Sequence, residues 1–157
     1  MKRYAVVDIG TNSARLMIAH VQDHKIVADY KTLRLIRMGE GMVGKRVIVP
    51  AAMERAKEAL SEYVKISREY GVDQANFFAF GTSAVRDAEN SEAFTGFISR
   101  ECGIDVDIIS GDREAMLGFA GSIDANGYMF DIGGGSTEVM QGSLHDVRFQ
   151  KSFQIGT

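Results

Sequence analysis

Two short runs hold acids, hydroxyls and glycines at close spacing: Asp8-Ile9-Gly10-Thr11-Asn12-Ser13 and Asp131-Ile132-Gly133-Gly134-Gly135-Ser136-Thr137-Glu138. Each follows an apolar stretch, Tyr4-Ala5-Val6-Val7 or Tyr128-Met129-Phe130, and each leads into a second one. The pattern predicts two tight strand–turn–strand units with an acid at the end of the first strand. Glycine lets a backbone approach a ligand closely, and successive N–H groups in such a turn can cradle phosphate oxygens. The acid is then placed to hold a cation that sits on the same phosphate. Two copies suggest a phosphate held by one hairpin, with acids and a metal from the other. An ordinary hairpin with Gly10 and Asn12 in its turn explains the first run about equally well. The triple glycine is harder to explain that way, because three glycines cost backbone entropy with no packing return.

Two further motifs follow predicted strands and open predicted helices. In Gly81-Thr82-Ser83-Ala84-Val85-Arg86, the hydroxyls can cap, the helix start favours anions, and Arg86 can fork onto a phosphate. In Ser110-Gly111-Asp112-Arg113-Glu114-Ala115, the ordinary reading is a capping box. The active reading makes Glu114 a base aimed at water, which requires hydrogen-bond reach. His20, His24 and His145 are scattered, with no zinc spacing, and there is no G-x-x-x-x-G-K-[ST] run.

These residues must be carried by a chain of 157 residues, about one domain's worth, with 45% hydrophobic residues for a core. The single cysteine, Cys102, excludes an internal disulfide and fits a reducing, cytoplasmic setting. No apolar run is long enough to span a membrane, and a net charge of −3 offers no general attraction to nucleic acid. Strands are predicted at 3–9, 14–21 and 25–37, with the hairpin tip at His24 and Lys25. A glycine-rich flexible loop is expected over 38–45. A helix follows Pro50 and is ended by Gly71, with Ala52, Ala56, Leu60, Val64 and Ile66 at roughly helical spacing. An aromatic strand buried on both faces (76–80), a helix over 83–100 broken near Asn90, a strand (104–109) and a helix (112–122) precede the second glycine hairpin. The order β-β-β-α-β-α-β-α-β-β predicts a mixed five-stranded α/β sheet, three antiparallel strands first, with helices on both faces.

The set resembles the exopolyphosphatase / guanosine pentaphosphate phosphohydrolase family of the actin–hexokinase–Hsp70 superfamily. The matching runs are 8–15, Met38-Gly39-Glu40-Gly41, 82–86 with Asn90, Ser110-Gly111 with Glu114-Ala115, 131–138, and Ser152-Phe153-Gln154-Ile155-Gly156. Thr11 stands where a serine is commoner. The resemblance implies a ribonuclease H-like, actin-like ATPase domain over 1–157. It implies Mg²⁺-dependent release of terminal phosphate from polyphosphate or guanosine pentaphosphate. By position, Glu114 resembles the general base, and Asp131 and Glu138 the metal-side acids with Asp8 near them. Glu138 is also placed to orient water. Gly133, Gly134, Gly135, Ser136 and Thr137 resemble the phosphate loop, and Asn12, Ser13, Arg15 and Arg86 phosphate contacts. Family members continue into a second domain beyond Thr157, and the cleft between the two carries the reaction. The resemblance therefore implies a weakly active or inactive isolated domain, whose open wall can pair with another copy. The alternatives are an ATP-binding half of a sugar-kinase or activator-ATPase relative, and a domain that binds nucleotide or polyphosphate without hydrolysing it.

Overall fold

A computed structural model describes residues 1–42, 44–122, 126–143 and 145–157. They form two compact units, Met1–Ile108 and Ile109–Thr157. The first opens with an antiparallel meander of β1 (Arg3–Ile9), β2 (Ser13–Gln22) and β3 (Lys25–Leu35). There follow α1 (Pro50–Glu69), β4 (Phe77–Gly81), α2 (Ser83–Asp87), α3 (Ser91–Cys102) and β5 (Val106–Ile108). The sheet order is β3-β2-β1-β4-β5, with β4 parallel to β1 and β5 parallel to β4. This is the mixed five-stranded sheet that the element order predicts, because parallel neighbours need a helical crossover.

The core follows from two periodicities. Ala5, Val7 and Ile9 on β1 and Ala14, Leu16 and Ile18 on β2 alternate into the interior. Ala52, Ala56, Ala59, Leu60 and Tyr63 recur at helical spacing on α1 and join the same cluster, with Phe94 and Ile98 from α3. The alanines keep α1 close to the sheet. Tyr63, fully buried, donates its hydroxyl to the Ala14 carbonyl at 2.8 Å. Burial pushes its phenol up to about 12. A second cross-link is polar: His20 Nδ1 lies 3.0 Å from Asp29 Oδ2, to which Arg3 Nε also donates. The His20 hydrogen bond, with help from Arg3, lowers the Asp29 carboxyl below its usual range.

The break expected near Asn90 is present and divides the helical stretch over 83–100 into α2 and α3. Between them Asn90 turns its side-chain amide onto the Ile48 backbone, accepting from N and donating to O at 2.9 and 3.0 Å. The loop after β3 is anchored at its start: Met38 is fully buried and Gly39 N donates to the Thr11 carbonyl. A side chain at Gly39 would meet Thr11 Cγ2 at 2.6 Å. Val43, in the same expected loop, lies outside the described residues. The β2–β3 tip is Asp23 and His24, both with positive φ (50° and 60°), the geometry of a two-residue primed turn. Strand β4 is not buried on both faces, since Phe78 is 43% exposed.

The second unit holds α4 (Gly111–Ser122) and an antiparallel sheet of β6 (Gly127–Ile132), β7 (Thr137–Ser143) and β8 (Asp146–Phe153), in that order. Ala115 and Phe119 of α4 pack with Met129 and Met140. Strand β8 is absent from the sequence-based order because its residues are mostly exposed and show no apolar alternation. It is reached through a bulge at Gly142 (φ +135°), where a side chain would run into the Asp146 carbonyl. Among the described residues, no helix is long and apolar enough to cross a membrane.

Tyr63→Phe should lower stability by about 1 kcal/mol at neutral pH through loss of the bond to Ala14. The unfolded phenol ionises near 10 and the folded one near 12, so the unfolded state holds fewer protons between these values. Wild-type stability should therefore fall as pH rises through that window, and the Phe variant should lack that part of the decline. Urea melts between pH 7 and 12 measure both.

Candidate active site

The two glycine hairpins share one register. In the first, Asp8 opposes Arg15, Ile9 opposes Ala14, and Gly10 N donates to Ser13 O at 3.0 Å. In the second, Asp131 opposes Glu138, Ile132 opposes Thr137, and Gly133 N donates to Ser136 O at 2.8 Å. Opposed residues of an antiparallel pair share a face, with Cβ atoms about 4.5–5.5 Å apart. The first hairpin thus sets an acid against a base, and the second sets an acid against an acid.

In the second unit the two acids have unlike surroundings. Asp131 is exposed, whereas Glu138 is 2% exposed. Ser152, opposite Glu138 on β8, donates its hydroxyl to Oε1 at 2.7 Å. Helix α4 covers the face that carries Met129, Met140 and these acids. It comes close through Gly118, where a Cβ would lie 3.2 Å from Met129 Sδ and 3.7 Å from Asp131 Oδ2. Half-exposed Glu114 stands one turn earlier on the same helical row. The start of α4 is fixed by Ser110, whose hydroxyl accepts from Arg113 N at 3.2 Å and whose carbonyl accepts from Glu114 N at 2.9 Å. The capping reading of Ser110 therefore holds. Glu114, Asp131 and Glu138 share one side of this unit.

A hard cation fits this donor set. Among the described residues one side-chain donor, Ser152, meets the Glu138 carboxylate, at Oε1, and Mg²⁺ typically takes one or two carboxylates and completes its shell with waters and phosphate oxygens. Among the described residues no three carboxylate, imidazole or thiol groups form a closed metal cage. Asp8 lies on β1 of the first unit.

The triple glycine does have a packing return. A side chain at Gly156 would sit 2.5 Å from Gly134 C and Gly135 N, so two backbones meet there. Thr157 N donates to Gly133 O at 3.1 Å, and the Thr137 hydroxyl donates to Ile155 O at 2.6 Å. Ser136 is buried. The loop is backed by the segment after β8, and the Thr137 proton is committed to that support.

The remaining candidates sit in the first unit. Asn12 is exposed at the turn, and its carbonyl accepts from Ile36 N and Arg37 N. Ser13 is half-buried and Arg15 exposed. The turn is stitched to the segment after β4: Thr11 Oγ1 lies 2.9 Å from Ser83 Oγ, and Thr82 N donates to Ile9 O. The expected anion-favouring helix start is weaker than the motif suggests. Helix α2 has five residues, and Thr82 makes no side-chain cap. The mostly buried Arg86 has Nε 3.6 Å from Asp87 Oδ1.

Residues 16–157 match the Ppx/GppA phosphatase family. The chain belongs to this family. It is 36% identical to the bifunctional 3-dehydroquinate synthase/phosphatase of Fusobacterium nucleatum over 98% of its length and 25% of that protein's. It is 30% identical to exopolyphosphatase 2 of Mycobacterium tuberculosis over 99% of its length and 53% of that protein's. The crystal structure of an exopolyphosphatase from Cytophaga hutchinsonii superposes with a TM-score of 0.90 at 32% identity, over 99% of this chain and 51% of that one. The chain thus spans about half the length of the two exopolyphosphatases and a quarter of the bifunctional protein. The fold is the actin-like α/β fold.

In this member of the Ppx/GppA family, Gly118, Ser152 and Gly156 support the site. Ser152 and Gly156 lie in a run that carries the family resemblance, but their supporting roles, like that of Gly118, show only in their partners across the fold. Gly156→Ala should displace the loop, shift the amide resonances of Gly133, Gly134 and Gly135, and lower the melting temperature. Gly96→Ala, on α3 with open space around it, should be neutral or stabilising. Heteronuclear spectra and thermal melts of the two variants check the contrast.

Proposed function

We propose that this chain carries the acid–base and metal-binding part of a phosphoanhydride hydrolase acting on inorganic polyphosphate or guanosine pentaphosphate. The observation that supports it most is the opposition of Asp131 and buried Glu138 beside the glycine loop, with Glu114 on the same side of the unit. Phosphoryl transfer asks little covalent chemistry of a protein; it needs a positioned water, charge neutralisation and orientation. Glu114 accepts the proton of the attacking water as its oxygen bonds to the terminal phosphorus. The bridging P–O bond breaks, and the shortened chain leaves with the electron pair. Asp131 and Glu138 would hold Mg²⁺, which when bound neutralises phosphate oxygens and so lowers the cost of the charged transition state. Glu138 also orients the water. The amides of Gly134 and Gly135 would meet phosphate oxygens, while Gly133, whose amide is given to Ser136 O, and buried Ser136 hold the loop's shape. For Asn12, Ser13, Arg15 and Arg86, which belong to the first unit, the family resemblance supports a role as phosphate contacts.

Glu114→Gln in the full-length gene product should lower kcat about 10²–10⁴-fold with substrate binding nearly intact. Phosphate release from polyphosphate and from guanosine pentaphosphate, compared with a binding isotherm, measures both. A well-folded Glu114→Gln protein with near wild-type turnover overturns the assignment.

That the chain spans about half of its exopolyphosphatase relatives favours a second reading for the 157-residue chain by itself. A polyanion on an open surface stays hydrated and its contacts are screened, while positioning and water exclusion supply much of the rate. The 157-residue chain should therefore bind polyphosphate but release phosphate at least about 100-fold more slowly than the full-length gene product. Rates per mole at equal Mg²⁺ and salt decide it, and equal rates overturn this reading.

A further inference from the structure

We infer that Ser152 is a positioning residue for the hydrolysis, holding the Glu138 carboxylate so that one oxygen is occupied and the other is presented to ligand. The inference rests on the role given to Glu138 above. Glutamate has three side-chain torsions and, on a strand, several ways to turn. In the second unit that freedom is removed. Glu138 is 2% exposed, and the Ser152 hydroxyl is its one side-chain hydrogen-bond donor among the described residues, at 2.7 Å from Oε1. This is a short bond of the charge-assisted kind.

The two residues are direct partners in the β7–β8 ladder, so the donor is delivered by backbone register rather than by a loop. Serine suits the place because its hydroxyl reaches across one strand spacing with a single torsion. The same strand end continues into Ile155, Gly156 and Thr157, which back the glycine loop. Strand β8 thus positions both the acid and the loop beside it. A hydrogen bond that orients a ligating carboxylate is typically worth about 10–100-fold in metal affinity or activity.

The test compares wild type, Ser152→Ala and Ser152→Thr in the full-length gene product. Ser152→Ala should lower kcat for polyphosphate about 10–100-fold with KM changed less than about threefold, and should weaken Mn²⁺ binding about tenfold by electron paramagnetic resonance in the presence of orthophosphate. Ser152→Thr keeps the hydroxyl and should restore both. A Ser152→Ala protein with native circular dichroism and kcat within twofold of wild type overturns the positioning role alone. A Thr variant as impaired as the Ala variant does the same, because it shows that packing rather than the hydroxyl matters. A wild type inactive on both polyphosphate and guanosine pentaphosphate overturns the functional reading, and this role falls with it.

Discussion

The register of a β-hairpin decides which side chains share a face, and nearly everything proposed for this protein depends on two such registers. In both hairpins an aspartate at the end of one strand lies opposite the residue seven positions later. Because side chains alternate at every residue, a slip of one position would move Asp131 and Glu138 to different faces. The closing bonds Gly10–Ser13 and Gly133–Ser136 hold the register at the turn. With the same backbone, the first hairpin places arginine opposite aspartate and the second places glutamate. One arrangement attracts anions, and the other asks for a cation. The proposed division of labour between phosphate contacts and metal-side acids is thus a matter of one residue in each hairpin.

The acidic arrangement carries an energetic burden. Like charges directly opposed on a sheet destabilise it, and a buried carboxylate must find partners. The second unit answers with local devices. Ser152 donates to Glu138, Asp131 stays exposed, and Gly118 removes a side chain where α4 passes it. Its core is small, with Ala115, Phe119, Met129 and Met140 at its centre. The first unit is built differently, around a cluster that runs from Ala5 to Ile104 and is locked by Tyr63. A large apolar core supports one set of candidate residues, and hydrogen-bonded strands support the other.

Glycine has two separate uses in this chain. At Gly142 the backbone adopts a conformation that side chains rarely take. At Gly156 the reason is space, because the chain passes backbone to backbone over Gly134 and Gly135. Backing of this kind restrains a loop, and the proposed phosphate cradle would need such restraint for its amides to be oriented before the ligand arrives.

The sequence by itself determined the kinds of element and their order as far as β7, because period and punctuation are local. Alternation in 3–9 and 14–21, the helical spacing of Ala52, Ala56 and Leu60, and the stop at Gly71 all act within a few residues. It also determined the chemical character of the site, since three acids, a glycine run and hydroxyls at that spacing limit the chemistry. What it could not show depends on contacts across strands and between elements. The pairing of Ser152 with Glu138, of Gly156 with the glycine loop and of Thr11 with Ser83 joins residues 14, about 20 and 72 positions apart. Strand β8 was hidden because its exposed residues carry no apolar period. The split between α2 and α3 was visible only as a weak break, because Asn90 is held by the backbone of Ile48. Such partners are chosen by the closing of the fold, and no local pattern in the chain encodes them.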